Sequence, residues 1–207
     1  MRSVIIAAVV VAATAAPARA GDDVDIDGKW PFRGRTVGVY VGGHGSRSGG
    51  MSLGGIGPTV DLAVGDGAFQ YFAELGLLAA QARIGDGEDA RSIRGYEGRA
   101  GIGVRWLARS FVMERDGAIE MLLEAFTGLE QFWWKEGGRL TRPDLGGGWA
   151  WQVRMRRSKF MFRTSARVYF APLDPDHAAP ICRGSCMEAP ATSRWSSGIM
   201  ANMGVSW

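Results

Sequence analysis

The chain has 207 residues, of which 46% are hydrophobic, 10% aromatic and 22% charged, with a formal net charge of +3. That length suits one domain and is short for two. No basic run is interleaved with aromatic residues, so a nucleic-acid partner is not implied.

The N-terminus carries Arg2, an apolar run over 4–16 and then Ala18-Arg19-Ala20. A charged start, a short apolar stretch and a small-x-small site are the layout of a secretory signal peptide, so cleavage is expected after Ala20. The apolar run is shorter than the roughly 20 residues a spanning helix needs. No cysteine stands at the junction for a lipid anchor. Without Arg2 and Arg19 the rest is close to neutral. Residues 21–35 are acidic, then contain Pro and Gly, and are expected to be a periplasmic lead-in to a domain spanning 36–207.

From Thr36 onward, apolar residues alternate with polar ones, the period of a strand with one apolar face. Val37, Val39 and Val41 open the series. Ile56, Val60, Leu62 and Val64 follow, with Asp61 opposite, then Phe69, Tyr71, Ala73, Leu75 and Leu77, with Glu74 opposite. The fourth segment sets Tyr96, Ala100, Ile102, Val104 and Trp106 against Glu97, Arg99, Arg105 and Arg109. The fifth sets Ile119, Met121, Leu123, Ala125, Leu129 and Trp133 against Glu120, Glu124 and Glu130. Trp149, Trp151, Val153 and Met155 face away from Arg154. Phe160, Phe162, Ala166, Val168 and Phe170 face away from Arg163 and Arg167. Trp195, Ile199, Ala201, Met203, Val205 and Trp207 close the chain.

Eight such segments, each near the roughly 9–11 residues of a tilted membrane strand, predict an all-β fold: an eight-stranded antiparallel up-and-down transmembrane β-barrel. Three connections are tight: Gly65-Asp66-Gly67, Arg115-Asp116-Gly117 and Arg156-Arg157-Ser158. The other four, over 45–51, 83–91, 135–147 and 172–192, are expected to be longer. Strict alternation of the two kinds matches short periplasmic turns and longer outer loops. Phe69, Tyr71, Trp106, Phe160 and Trp207 fall near the short turns. Tyr96, Trp133, Trp149, Phe170 and Trp195 fall near the long ones. Two such bands are what two membrane–water interfaces select.

Pro58 interrupts the second segment, since proline cannot donate to a closed ladder; the strand is expected to start after it or to bulge there. Ile119, Leu122, Leu123, Phe126 and Leu129 also follow helical spacing. Strand is preferred, because Gly128 and Phe132-Trp133-Trp134 suit it better.

At this point the stretch 36–207 resembles the small bacterial outer-membrane β-barrel proteins of the OmpA/OmpX-like group. Gly38-Val39-Tyr40-Val41-Gly42-Gly43 looks like their first strand. The end, with Met203, Val205 and Trp207, is similar to their C-terminal assembly signal. The resemblance implies an outer-membrane location, contact with outer-membrane lipid and lipopolysaccharide, and reading of the last strand by the barrel-insertion machinery.

An eight-stranded barrel is only wide enough inside for side chains. Asp61, Glu74, Glu97, Glu120, Glu124 and Glu130 would meet Arg99, Arg105, Arg109, Arg154, Arg163 and Arg167 there, and buried charges persist only when paired. A ladder of ion pairs plugging the lumen is therefore expected, with a small-solute channel as the alternative. The charged interior is the reverse of a lipid carrier's apolar one.

His44 and Ser46 point to one side of the first segment, and a carboxylate such as Glu130 could lie at that level, which raises a lipid-modifying enzyme as a further alternative. A loop histidine is the plainer reading. No His/Cys/carboxylate cluster has metal-ligand spacing and no cofactor is implied. Cys182 and Cys186 are expected to form a local disulfide in an exported protein. The stretch 172–192, with Asp174, Asp176 and His177, is the best binding candidate. A non-enzymatic structural or adhesive barrel, present as a monomer, is the preferred reading.

Overall fold

The computed structural model describes residues 32–85, 90–113, 117–155, 158–173, 181 and 193–207. The leader over 1–20 and most of the lead-in lie outside these residues. Eight strands run in order: β1 (Phe32–Ser48), β2 (Met51–Gly67), β3 (Phe69–Ile84), β4 (Arg91–Met113), β5 (Gly117–Trp134), β6 (Arg139–Met155), β7 (Met161–Pro172) and β8 (Trp195–Ser206). Each pairs antiparallel with its sequence neighbours, and β1 closes on β8 from Gly38↔Ser206 to Arg47↔Ser197. Closure leaves no unpaired edge, which a lipid environment requires. Among the described residues no helix is long and apolar enough to cross a membrane; the barrel crosses with strands.

The alternation sets the two faces. Ile102 is 63% exposed and Asp61 0%. Val41, Ile56, Tyr71, Leu77, Leu129, Val168, Ile199 and Met203 form an outward apolar belt. Phe69 stacks on Trp106 and Phe160 meets Trp207 edge-on at the end where β1 begins and β8 finishes. The stretch from Ile119 to Leu129 is strand, paired residue by residue with β4 and β6. Helical spacing there reflects apolar residues on both faces: Leu122 and Phe126 point inward, Leu123 and Leu129 outward.

Several boundaries differ from those the sequence suggests. β1 begins at Phe32, before Thr36. The connection expected over 45–51 is a turn at Gly49 and Gly50, and the one expected over 135–147 spans only 135–138. In that second turn Gly137 and Gly138 have φ of 94° and 93°, values that favour glycine. The stretches 45–48 and 139–147, expected as loop, are strand in β1 and β6. Trp149 accordingly lies nearer the inner end of β6 than the outer one.

Pro58 neither starts the strand nor bulges it. β2 runs through it, and the β2–β3 pairing skips from Ile56↔Ala79 to Thr59↔Gly76 without a change of register. Pro143 sits in β6 beyond Leu145, where pairing with β7 begins, so its missing N–H breaks no rung on that side.

The expected disulfide is also corrected: among the described residues no disulfide bond is present. Cys182 and Cys186 lie outside the described residues. Close spacing in sequence fixes neither the Cα separation nor the Cβ directions that an S–S bond demands.

Candidate functional site in the barrel lumen

The inward positions of all eight strands converge on a lumen filled with charge. From the inner end outward, Arg154 Nε donates to Glu120 Oε1 at 2.7 Å, and Gln152 Nε2 donates to Glu120 Oε2 at 3.0 Å. Arg163 Nη2 donates to Gln152 Oε1 at 2.6 Å, and its Nη1 reaches Tyr40 Oη at 3.0 Å and Asp61 Oδ2 at 3.3 Å. Arg105 bridges Asp61 at 2.5 Å and Glu124 at 2.6 Å, and donates to Gln70 at 3.1 Å. Arg167 then takes the other oxygen of Glu124 at 2.7 Å and reaches Glu74 at 2.9 Å.

Further out, Arg99 Nη1 donates to Glu130 Oε1 at 3.2 Å, and Arg99 also pairs with Asp144. Arg142 Nε donates to Glu130 Oε2 at 2.8 Å, and its other nitrogens donate to Ser196 Oγ and Ser46 Oγ. The guanidinium forks of Arg99, Arg105, Arg142, Arg163 and Arg167 each serve two or more acceptors, a geometry a lysine could not supply.

Aromatic rings pack against the guanidinium groups of the network. Arg105 lies 3.9 Å from the Phe72 ring centre, and Arg167 sits between Phe72 and Phe126 at 5.3 Å and 5.1 Å. Such contacts are worth about 2 kcal/mol or more when desolvated. At the outer end Met51, Leu53, Ile93, Phe132, Trp134, Leu140, Leu173 and Ile181 form an apolar cap over the network.

Of the residues expected in the lumen, Asp61, Glu74, Glu97, Arg99, Arg105, Glu120, Glu124, Glu130, Arg154, Arg163 and Arg167 are all buried there. Arg109 is not among them. The β4–β5 register shifts between Leu107 and Arg109, which inverts the inside–outside order. Arg109 is exposed and stands 4.8 Å from the outward Phe111 ring. Arg142 and Asp144 join the network unforeseen, because 135–147 reads as a loop. Tyr169, assigned to neither face from sequence, is fully buried.

His44 is a buried strand residue, not a loop one. Its Nδ1 meets Tyr169 Oη at 2.7 Å and its Nε2 meets Glu97 Oε2 at 2.5 Å. Ser46 Oγ is engaged by Arg142 instead of by His44. Strand register thus brings His44, Glu97 and Glu130 together, with donor atoms within 4.8 Å of one another. Residues so distant in sequence give no spacing signal. Met203, Val205 and Trp207 point outward on or beside β8, and the Trp207 N–H and C=O pair with Val37 at 2.9 Å each.

A closed eight-stranded barrel, apolar outside and ion-paired inside, defines an outer-membrane β-barrel protein. Among solved structures it is similar to Neisserial surface protein A, at 11% identity and a TM-score of 0.52, over 84% of this chain and 96% of that one. The attachment invasion locus protein Ail of Yersinia pestis aligns over 84% of this chain and 100% of its own, at 12% identity and a TM-score of 0.36. At such identities the likeness concerns the fold alone. No protein-family profile and no curated protein matches the chain.

Proposed function

We propose that this protein is a non-enzymatic outer-membrane barrel of structural or adhesive type, which meets its surroundings through its outer strand ends and the loops they carry. The observation behind this reading is the continuous Arg–carboxylate network beneath an apolar cap, which fills the bore. A filled bore leaves little for a channel to conduct through. Outward-facing Arg47, Arg83, Arg94, Arg139 and Arg194 stand on or beside the outer strand ends, at the level of lipopolysaccharide phosphates. The last strand, ending at Trp207, is the segment the insertion machinery would read, and the barrel, closed on itself, would act as a monomer.

The test has two arms. Purified barrel in planar bilayers is expected to show no steady conductance, and bacterial cells displaying it are expected to adhere to host-cell or matrix surfaces more than cells displaying a barrel lacking 174–192. Steady open-pore conductance, or equal adherence of the two strains, would overturn the reading.

A further inference from the structure

The outer lumen has a feature the plug does not use. Glu97 is fully buried, its Oε2 faces His44, and its Oε1 has no hydrogen-bond partner. An orphaned buried carboxylate oxygen is costly. Among the described residues, seven carboxylates are buried in the barrel against six arginines, which leaves one negative charge without an arginine. Beside the pair stands Gly55. A Cβ there would lie 2.7 Å from Glu97 Oε2 and 3.1 Å from His44 Nε2, too close for a methyl group. Position 55 is thus held to glycine by the His44–Glu97 pair, and a larger residue there would displace both side chains.

We propose that His44, Glu97 and Glu130 bind a divalent cation of the zinc class. His44 Nε2 and a Glu97 oxygen are the primary ligands. Glu130, whose oxygens already receive Arg99 and Arg142, contributes a remaining lone pair. Tyr169 Oη at Nδ1 orients the imidazole, the role a polar partner commonly plays behind a ligating histidine. Two donors on one tetrahedral ion stand roughly 3.3 Å apart. Binding therefore widens the 2.5 Å contact between His44 and Glu97 and draws Glu130 inward from within the present 4.8 Å limit. The ion also offsets the one carboxylate charge that no arginine meets. The rival reading is a proton held between Nε2 and Oε2.

The experiment uses the untagged full barrel with Cys182 and Cys186 replaced by serine, since thiolates take the same ion. It is refolded in lipid vesicles, loaded with zinc chloride and passed over a chelating resin. Retention of about one zinc per barrel is expected, weakened by about tenfold or more in Glu97→Gln and in Gly55→Ala. Gel mobility with and without heating verifies that each variant is folded. Cobalt loading of the parent barrel is a readout that needs no variant, and visible bands of a nitrogen–oxygen site are expected. No retained zinc, retention unchanged in folded Glu97→Gln, or absent cobalt bands would overturn the site in favour of the shared proton.

Discussion

Arg142 Nε donates to Glu130 Oε2 at 2.8 Å, and neither side chain reaches solvent. Removing one partner of such a pair leaves an uncompensated charge in a dry interior. Arg142→Met is therefore expected to destabilise the barrel by about 3–5 kcal/mol. Urea unfolding in lipid vesicles, followed by tryptophan fluorescence, measures it.

The inner pair of Glu120 and Arg154 separates specificity from stability. Its geometry is good, with Nη2 at 2.5 Å from Oε1, yet desolvating both charges is expensive. Glu120→Leu alone should cost about 3–5 kcal/mol, while the double change Glu120→Leu/Arg154→Met should cost clearly less. The same unfolding assay, run as a double-mutant cycle, gives the coupling. A double-variant loss equal to the sum of the Glu120→Leu and Arg154→Met losses would mean the pair is not electrostatically linked.

On the lipid side the expectation reverses. Ile102 lies outward near the middle of β4. Ile102→Arg should cost about 2–4 kcal/mol, the depth-dependent cost of a cation near the bilayer midplane. Arg109→Ala, beyond the register shift and exposed, should change stability by no more than about 0.5 kcal/mol. The folded fraction on unheated gels after refolding compares the two.

Close packing inside the wall gives another expectation. A Cβ on Gly103 would stand 2.5 Å from both Phe72 Cζ and the Ala125 carbonyl oxygen. Gly103→Ala should cost about 1–3 kcal/mol by overpacking. It should also loosen Arg105, which lies over Phe72. A lower urea midpoint with an unchanged slope is the expected record.

The two faces were legible because each is set by the period-two pattern, which survives one conserved rule of strand geometry. The membrane-facing set from Val37 to Trp207 and most of the lumen charges follow from that rule alone. Strand ends were not legible. Gly137, Gly138, Pro143 and the run Gly146-Gly147-Gly148 read as loop, and Arg142 and Asp144 were hidden among them. Arg109 was misplaced because a one-residue shift inverts the faces while leaving the sequence pattern intact. The His44–Glu97–Tyr169 cluster depends on closure, which brings β1, β4 and β7 to one lumen. Inward Phe72, Phe126 and Phe132 escaped notice because apolar residues were assigned to the lipid side. Here they serve as platforms between guanidinium groups.

The most direct measurement is a scan of single bimane labels at Gln70 to Leu75 in refolded barrels, quenched by nitroxides on the lipid chains. Labels at Tyr71, Ala73 and Leu75 should be quenched strongly and those at Gln70, Phe72 and Glu74 weakly, because β3 turns the first set to lipid and the second to the ion-paired interior. Uniform quenching along the six positions, or strong quenching at Gln70, Phe72 and Glu74 instead, would contradict a barrel with its charges inside.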